Sequence, residues 1–219
     1  MNRIEIDLRY LPIDVRKWID FEVKNSNAND IKVNILRLKQ VKMDNVRVSG
    51  YFCSNTDTLF VAGLADDWLS IMVHETCHRD QYTEQVPLWN KKIELDGEKH
   101  DPLNIMHEWL DGIIELKPRK LKEVLRACLN IELDCEIRAA KKINKFYLPI
   151  NLKEYIQKAN AYVYFYLSLE YTRKWYPKNK SPFYLPEVWT KMPTHFDNDY
   201  NKLPTKIKNL ILQNSYGFV

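Results

Sequence analysis

Residues 74–78 read His-Glu-Thr-Cys-His, inside the longer run DDWLSIMVHETCHRDQYTEQ. In an α-helix, residues four positions apart project from the same face, so this spacing aligns His74 and His78. Two imidazoles placed in this way can bind one metal ion. Glu75, beside them, can take a proton from a water molecule without being a ligand itself. The pattern therefore requires a helix over this segment and predicts a metal site on it.

The residues around the motif favour this interpretation over a coincidence. Matches to His-Glu-x-x-His also arise by chance, and many of them fall in loops or on exposed helices. Here the preceding DDWLSIMV provides apolar side chains that can bury a helix, and Asp66 or Asp67 can cap its start. The chain has only 5 histidines, so finding two of them in this arrangement favours a metal site.

A catalytic zinc ion needs a third protein ligand and an open fourth position. The first candidate is the stretch ELDCE at 132–136, in which Glu132 and Glu136 share one helix face. Carboxylates on an otherwise apolar helix are costly to bury without partners. One of the two carboxylates could bind the metal ion, and the other could accept a hydrogen bond from the N–H of a ligating histidine. The alternatives are His100 and His107, which we interpret as a loop residue and a helix-surface residue.

Hydrophobic periodicity predicts an α+β chain. Period-2 alternation over residues 3–8 and 31–61 predicts a small, antiparallel N-terminal sheet, with a helix over 14–24. TLFVA at 58–62, just before the motif, is the last of these predicted strands. Asp101 before Pro102, and Asn151 with Glu154, predict the starts of two later helices.

A length of 219 residues fits one domain. We expect 1–65 to be mostly sheet with one helix, 66–176 to be a helical metal-site core, and the proline-rich 177–219 to be a wrapping tail.

Composition limits the partners and the compartment. The net charge is +4, and no block of Lys and Arg interleaved with aromatic residues stands out, so we expect no nucleic-acid partner. The longest apolar run, LFVAGLA, is too short to span a bilayer, and the N-terminus lacks a signal-peptide core. The four cysteines show no CxxC spacing, which indicates reduced thiols in a cytosol-like compartment. Cys77 and Cys135 are interpreted as small buried residues at a helix contact.

The chain resembles the gluzincin class of zinc metallopeptidases, in which His-Glu-x-x-His is followed by a glutamate ligand on a second helix. In several such families that helix carries Glu-x-x-Ala-Asp-x-x-Ala. Here the corresponding residues are Glu132-Leu-Asp-Cys-Glu-Ile-Arg-Ala139, with Cys in place of Ala and Glu in place of Asp. The segments VHETCHRDQ, ELDCEIRAA and YIQKANAYVYFY are also similar to a set of tailed-phage proteins described as metallopeptidases. That similarity covers about residues 69–195.

The resemblance implies a zincin-like fold and a peptidase acting on a protein or peptide substrate. It implies one Zn²⁺ held by His74, His78 and Glu132, with Glu75 as the general base. It also implies that the strand just before the motif, TLFVA at 58–62, is the edge with which an extended substrate pairs. Glu136 would orient a ligating histidine, or would exchange roles with Glu132. A phage-encoded protein of this kind would act in the host cytoplasm.

Two other functions remain open at this point. One is a non-catalytic zinc-binding phage protein on a zincin scaffold, acting as an inhibitor, an adaptor or a virion component. The other is a SprT-like peptidase acting on DNA-bound proteins, which would need a histidine ligand and a basic DNA-binding segment.

Several positions around the motif remain open as well. The donor that stabilises the oxyanion could be Tyr162, Tyr166 or His195, although the tyrosines also fit a core stripe. Asp80 and Gln81 could help to position the site or could form a solvated last turn.

Overall fold

The computed structural model describes residues 2–43, 46–176 and 180–215. The chain divides into two compact units, of which unit 1 comprises Met1–Val86 and Arg138–Ile150. Unit 2 comprises Pro87–Ile137 and Asn151–Val219. The expectation of a single domain stays a prediction.

Unit 1 contains a four-stranded mixed sheet in the order β1-β2-β6-β5. A separate antiparallel pair, β3 and β4, lies between β2 and β5 in the chain. The strands are β1 (Arg3–Ile4), β2 (Lys32–Leu36), β3 (Val41–Met43), β4 (Val46–Val48), β5 (Gly50–Cys53) and β6 (Thr58–Ala62).

The expectation of an antiparallel sheet is wrong for most of it. β1 pairs with β2 in parallel. β2 also pairs with β6 in parallel, and in this pair Ile35 lies opposite Val61. Parallel strands need a crossover connection, and helix α1 (Ile13–Asn27) provides it between β1 and β2. This helix confirms the one predicted over 14–24. Within the described four-stranded sheet, the antiparallel pair is β5 with β6.

The predicted substrate-pairing edge is also wrong. β6 is the TLFVA strand, and it lies inside the sheet with β2 on one side and β5 on the other. Its side chains at Leu59 and Val61 are fully buried, which agrees with an interior strand. The edge of the sheet on this side is β5.

Helix α2 (Trp68–Thr83) packs against β5 and β6. Their close approach depends on Gly50 at the start of β5. A Cβ atom at this position would lie 2.6 Å from Ile71 Cγ2 and 2.7 Å from the carbonyl oxygen of Phe60. The absence of a side chain there lets α2 lie close to the edge strand.

Unit 2 is mainly helical and carries one β-hairpin. Its elements are β7 (Ile93–Leu95), β8 (Glu98–His100), α3 (Pro102–Leu110), α4 (Pro118–Lys145), α5 (Leu152–Thr172), α6 (Pro186–Trp189) and α7 (Thr205–Ser215). Helix α4 is continuous, and its residues from Arg138 onward belong to unit 1. Two predicted caps are confirmed, because Asp101 accepts from Leu103 N at 2.9 Å and Asn151 accepts from Glu154 N at 3.2 Å.

The core of unit 2 includes residues of the predicted tail. The described tail segment supplies buried side chains that pack with α3, α4 and α5, namely Phe183, Val188, Met192, Tyr200 and Ile211. The fold is therefore mixed α+β, with a small sheet and several helices, as the periodicity predicted. In the ranges that the structure describes, no helix has both the length and the apolar character needed to cross a membrane.

Candidate metal centre

The His-Glu-x-x-His motif lies within α2, so the predicted helix is confirmed. The imidazole rings of His74 and His78 lie with their centroids 4.7 Å apart and nearly perpendicular, at 83°. Both rings are partly buried. The i,i+4 spacing has therefore brought the two imidazoles side by side on one face of the helix.

His74 and His78 belong to a group of side chains that could hold a metal ion. Cys135 is a fully buried thiol of α4 in unit 2. Its burial agrees with the sequence interpretation of Cys135 as a small buried residue. A thiolate is also a donor that zinc accepts, so Cys135 is a second candidate on α4 for the third ligand, besides Glu132.

Glu75 is held against the edge of the sheet. Its side chain is buried, and its Oε2 accepts a hydrogen bond from the backbone N–H of Phe52 in β5 at 2.9 Å. The carboxylate is therefore oriented by a rigid backbone group rather than by a mobile side chain. This bond requires the short distance between α2 and β5 that Gly50 permits.

Gln81 contacts the second histidine of the motif. Its Oε1 lies 2.8 Å from His78 Nδ1, and its side chain is fully buried. Sequence reasoning left Gln81 open, because a polar residue in the last turn of a helix is usually solvated. The available signal was its spacing, since the i+3 position lies on the same helix face as His78.

A buried ionic network anchors the same helix in unit 1. Arg79 is fully buried, and its Nη2 lies 2.6 Å from Glu22 Oε2 and 2.5 Å from Asp80 Oδ1. Lys142, in the final part of α4, lies 2.7 Å from Asp80 Oδ2 and 3.1 Å from Glu22 Oε1. Asp80 is thus an ion-pair residue, which its sequence context did not reveal.

The network balances two cations with two carboxylates. Burial alone would lower the pKa of Lys142, but the neighbouring Cys77, Glu22 and Asp80 raise it. Lys142 therefore stays charged, and its ammonium also donates to Thr76 Oγ1 of α2 at 3.1 Å. These contacts connect α1, α2 and the end of α4, and they restrict the rotation of the helix that carries the motif.

The two predicted carboxylates of α4 are both buried and are contacted by tyrosines of α5 within unit 2. Tyr166 donates to Glu132 Oε1 at 3.4 Å, and Tyr155 donates to Glu136 Oε2 at 2.5 Å. The hydroxyl of Tyr162 lies 3.0 Å from that of Tyr166. Burial, and then the charge of Glu132, raises the pKa of both Tyr162 and Tyr166. Both tyrosines therefore remain protonated donors.

The remaining histidines lie on other elements. His100 is in β8, with Nε2 3.8 Å from the carboxylate of Glu98. His107 is an exposed residue of α3 whose ring lies 5.8 Å from that of Trp175. The side chain of His195 is 76% exposed and lies 3.7 Å from Asp197. His107 is therefore a helix-surface residue, as predicted. The interpretation of His100 as a loop residue is wrong, because His100 is the last residue of strand β8 in a β-hairpin.

No known protein family matches this chain, and no curated protein or solved structure is significantly similar to it. The chemistry available to the site follows from its own side chains. These include two adjacent imidazoles and a carboxylate fixed at a strand edge.

Proposed function

We propose that this protein is a zinc-dependent metallopeptidase on a zincin-like scaffold. One observation carries the proposal: the rings of His74 and His78 lie 4.7 Å apart on a helix whose intervening Glu75 is bonded to an edge strand. The arrangement provides two metal ligands and a proton acceptor on one rigid element, which metal-assisted hydrolysis requires. The resemblance of the two motifs to gluzincins supports the same reaction.

His74 and His78 would hold the metal ion together with a third ligand from α4. We take Glu132 as that ligand, because the resemblance implies it and because it is a buried carboxylate. Cys135, a buried thiol of the same helix, is the competing donor. A bound zinc ion supplies Lewis-acid activation of water and of the scissile carbonyl group.

Glu75 would act as the general base and then as the general acid. Its Oε2 is fixed by the Phe52 amide, so its Oε1 can accept the proton of the attacking water molecule. The same carboxyl group then delivers the proton to the leaving amine. Because β5 holds the carboxylate, this position is set before a substrate binds.

The substrate class that fits this arrangement is an extended peptide. β5 is an edge strand next to α2, and an edge strand can pair with a peptide through main-chain hydrogen bonds. This replaces the sequence-based assignment of TLFVA as the pairing strand. Pairing along β5 would carry the scissile bond past the side chain of Glu75.

The test combines metal analysis with a cleavage assay on the full-length chain. We expect about one zinc ion per wild-type chain, and loss of zinc in His74→Ala and His78→Ala. Glu75→Gln should keep zinc but no longer cleave a mixed peptide library, as followed by mass spectrometry. The control is Glu94→Gln, the same change at an exposed position of β7.

Two outcomes would overturn the proposal. A wild-type protein that binds no zinc has no metal centre of this kind. A wild-type protein that binds zinc but cleaves no peptide, or a Glu75→Gln variant that cleaves at the wild-type rate, excludes the peptidase mechanism. Zinc binding without cleavage would instead favour the non-catalytic zinc protein.

A further inference from the structure

We infer that Gln81 is a positioning residue of the metal centre, which holds His78 in the tautomer that can bind the ion. The inference rests on the proposed function and adds to it a residue outside the His-Glu-x-x-His motif. Gln81 does not itself bind the ion, and its effect passes through the imidazole of His78.

The contact lies within one rigid element. Both residues belong to α2, one helical turn apart, and Gln81 Oε1 lies 2.8 Å from His78 Nδ1. The side chain of Gln81 has no exposed surface. A buried amide is costly unless it is hydrogen-bonded, so the contact stabilises the pair as well as orienting it.

The hydrogen bond selects one tautomer of the imidazole. A neutral imidazole carries a single N–H, and the other ring nitrogen has a lone pair. When Gln81 Oε1 accepts the N–H of Nδ1, the lone pair lies on Nε2 and can bind a cation. The opposite tautomer would place hydrogen on Nε2 and would remove the hydrogen bond between Nδ1 and Oε1. Ligating histidines generally have such an acceptor on the second nitrogen.

The turn that carries Gln81 is itself anchored. The two residues before it, Arg79 and Asp80, form the buried ion pairs with Glu22 and Lys142. Its carbonyl oxygen accepts from the N–H of Val86 at 3.1 Å, where the helix ends. The acceptor is therefore held in place by contacts of the protein itself.

Two substitutions separate the acceptor from the packing. Gln81→Met has a similar length but no acceptor, whereas Gln81→Glu keeps the oxygen and removes the amide donor. The matched control is Gln213→Met at an exposed position of α7. Zinc affinity is measured by competition with a chromophoric chelator, and thermal unfolding of the metal-free proteins verifies folding.

We expect Gln81→Met to bind zinc roughly 10–100-fold more weakly, which is the usual effect of losing such a partner. Gln81→Glu should remain close to wild type, and so should Gln213→Met. Equal zinc affinity of the wild type and Gln81→Met would overturn the inference and leave the proposed function intact. Absence of zinc binding in the wild type would overturn the proposed function.

A second measurement does not need the metal ion. Nitrogen-15 NMR of the metal-free wild type should show that His78 is protonated on Nδ1. The same tautomer is expected in Gln81→Glu. Gln81→Met should lose this preference. A wild-type His78 protonated on Nε2 would contradict the inference even if Gln81→Met failed to fold.

Discussion

Glu75 and Glu132 are both buried carboxylates, but different groups hold them. Glu75 accepts from a backbone N–H of β5, which has no side-chain rotamers to lose. Glu132 accepts from the hydroxyl of Tyr166, whose raised pKa keeps its proton in place. At the scale of single residues, these surroundings favour Glu75 as a proton acceptor in a fixed position. The carboxylate of Glu132 can accept hydrogen bonds or act as a metal ligand.

The identity of the third ligand is tested at two residues of α4. We expect Glu132→Ala to lose stoichiometric zinc and Cys135→Ser to keep it, because Glu132 is the ligand in our proposal. Metal content of the purified variants is the measurement. Substitution with Co²⁺ adds a second one, since a thiolate ligand gives an intense near-ultraviolet absorption that a carboxylate does not.

The control for these variants is Glu94→Ala, at an exposed position of β7. Retention of zinc in Glu132→Ala together with its loss in Cys135→Ser would contradict the assignment. In that case Cys135 would be the third ligand.

The elements of unit 1 owe their arrangement to contacts far apart in the chain. Glu22 of α1, Arg79 of α2 and Lys142 of α4 meet in one buried network. Buried ions of this kind are expensive to separate from their partners. The network therefore makes the position of α2 depend on helices that precede and follow it in the chain.

Removing Lys142 tests this anchoring. Lys142→Met should lower the free energy of unfolding by about 3–5 kcal/mol near neutral pH, because it leaves buried carboxylates short of a cation. Urea denaturation provides the measurement, with Lys141→Met, an exposed neighbour on α4, as the control. A loss no larger than that of the control would show that the network contributes little.

The difference in stability between the wild type and Lys142→Met is also expected to depend on pH. The pKa of Lys142 is raised above the ordinary 10.5 in the folded protein. The stabilisation is therefore complete below pH 10.5, and it is lost as the pH rises through the folded-state pKa. The difference in stability between wild type and Lys142→Met should shrink above pH 10.5. A difference that grows in that range would contradict the assigned sign.

For the whole molecule, zinc binding should appear as added stability. A ligand that binds only the folded state stabilises it by about 2.7 kcal/mol at a free concentration 100 times its Kd. We expect zinc to raise the Tm of the wild-type protein and a chelator to reverse the shift. The shift should vanish in His74→Ala and persist in His100→Ala, which alters a histidine of β8. An equal shift in both variants would locate the zinc elsewhere.

Much of the local structure could be predicted from sequence. The motif helix, α1 and the caps at Asp101 and Asn151 depend on contacts within a few residues, so periodicity and capping chemistry reveal them. The parallel order of the sheet was not predicted, because strand pairing joins distant segments, and alternation looks the same in either direction. The position of β6 inside the sheet and the position of β5 at its edge were not predicted for the same reason.

The sequence by itself determined that His74 and His78 share one helix face, with Glu75 next to His74 in the chain, because helical spacing alone aligns positions four apart. Only the tertiary structure decided what surrounds them. The Phe52 amide on Glu75, the burial of Gln81 against His78 and the ion pairs of Asp80 depend on helices and strands packing together. Burial and strand pairing depend on segments that are distant in the chain. From sequence alone, a polar residue near the end of a helix is therefore predicted to be exposed to solvent, even where the folded protein buries it.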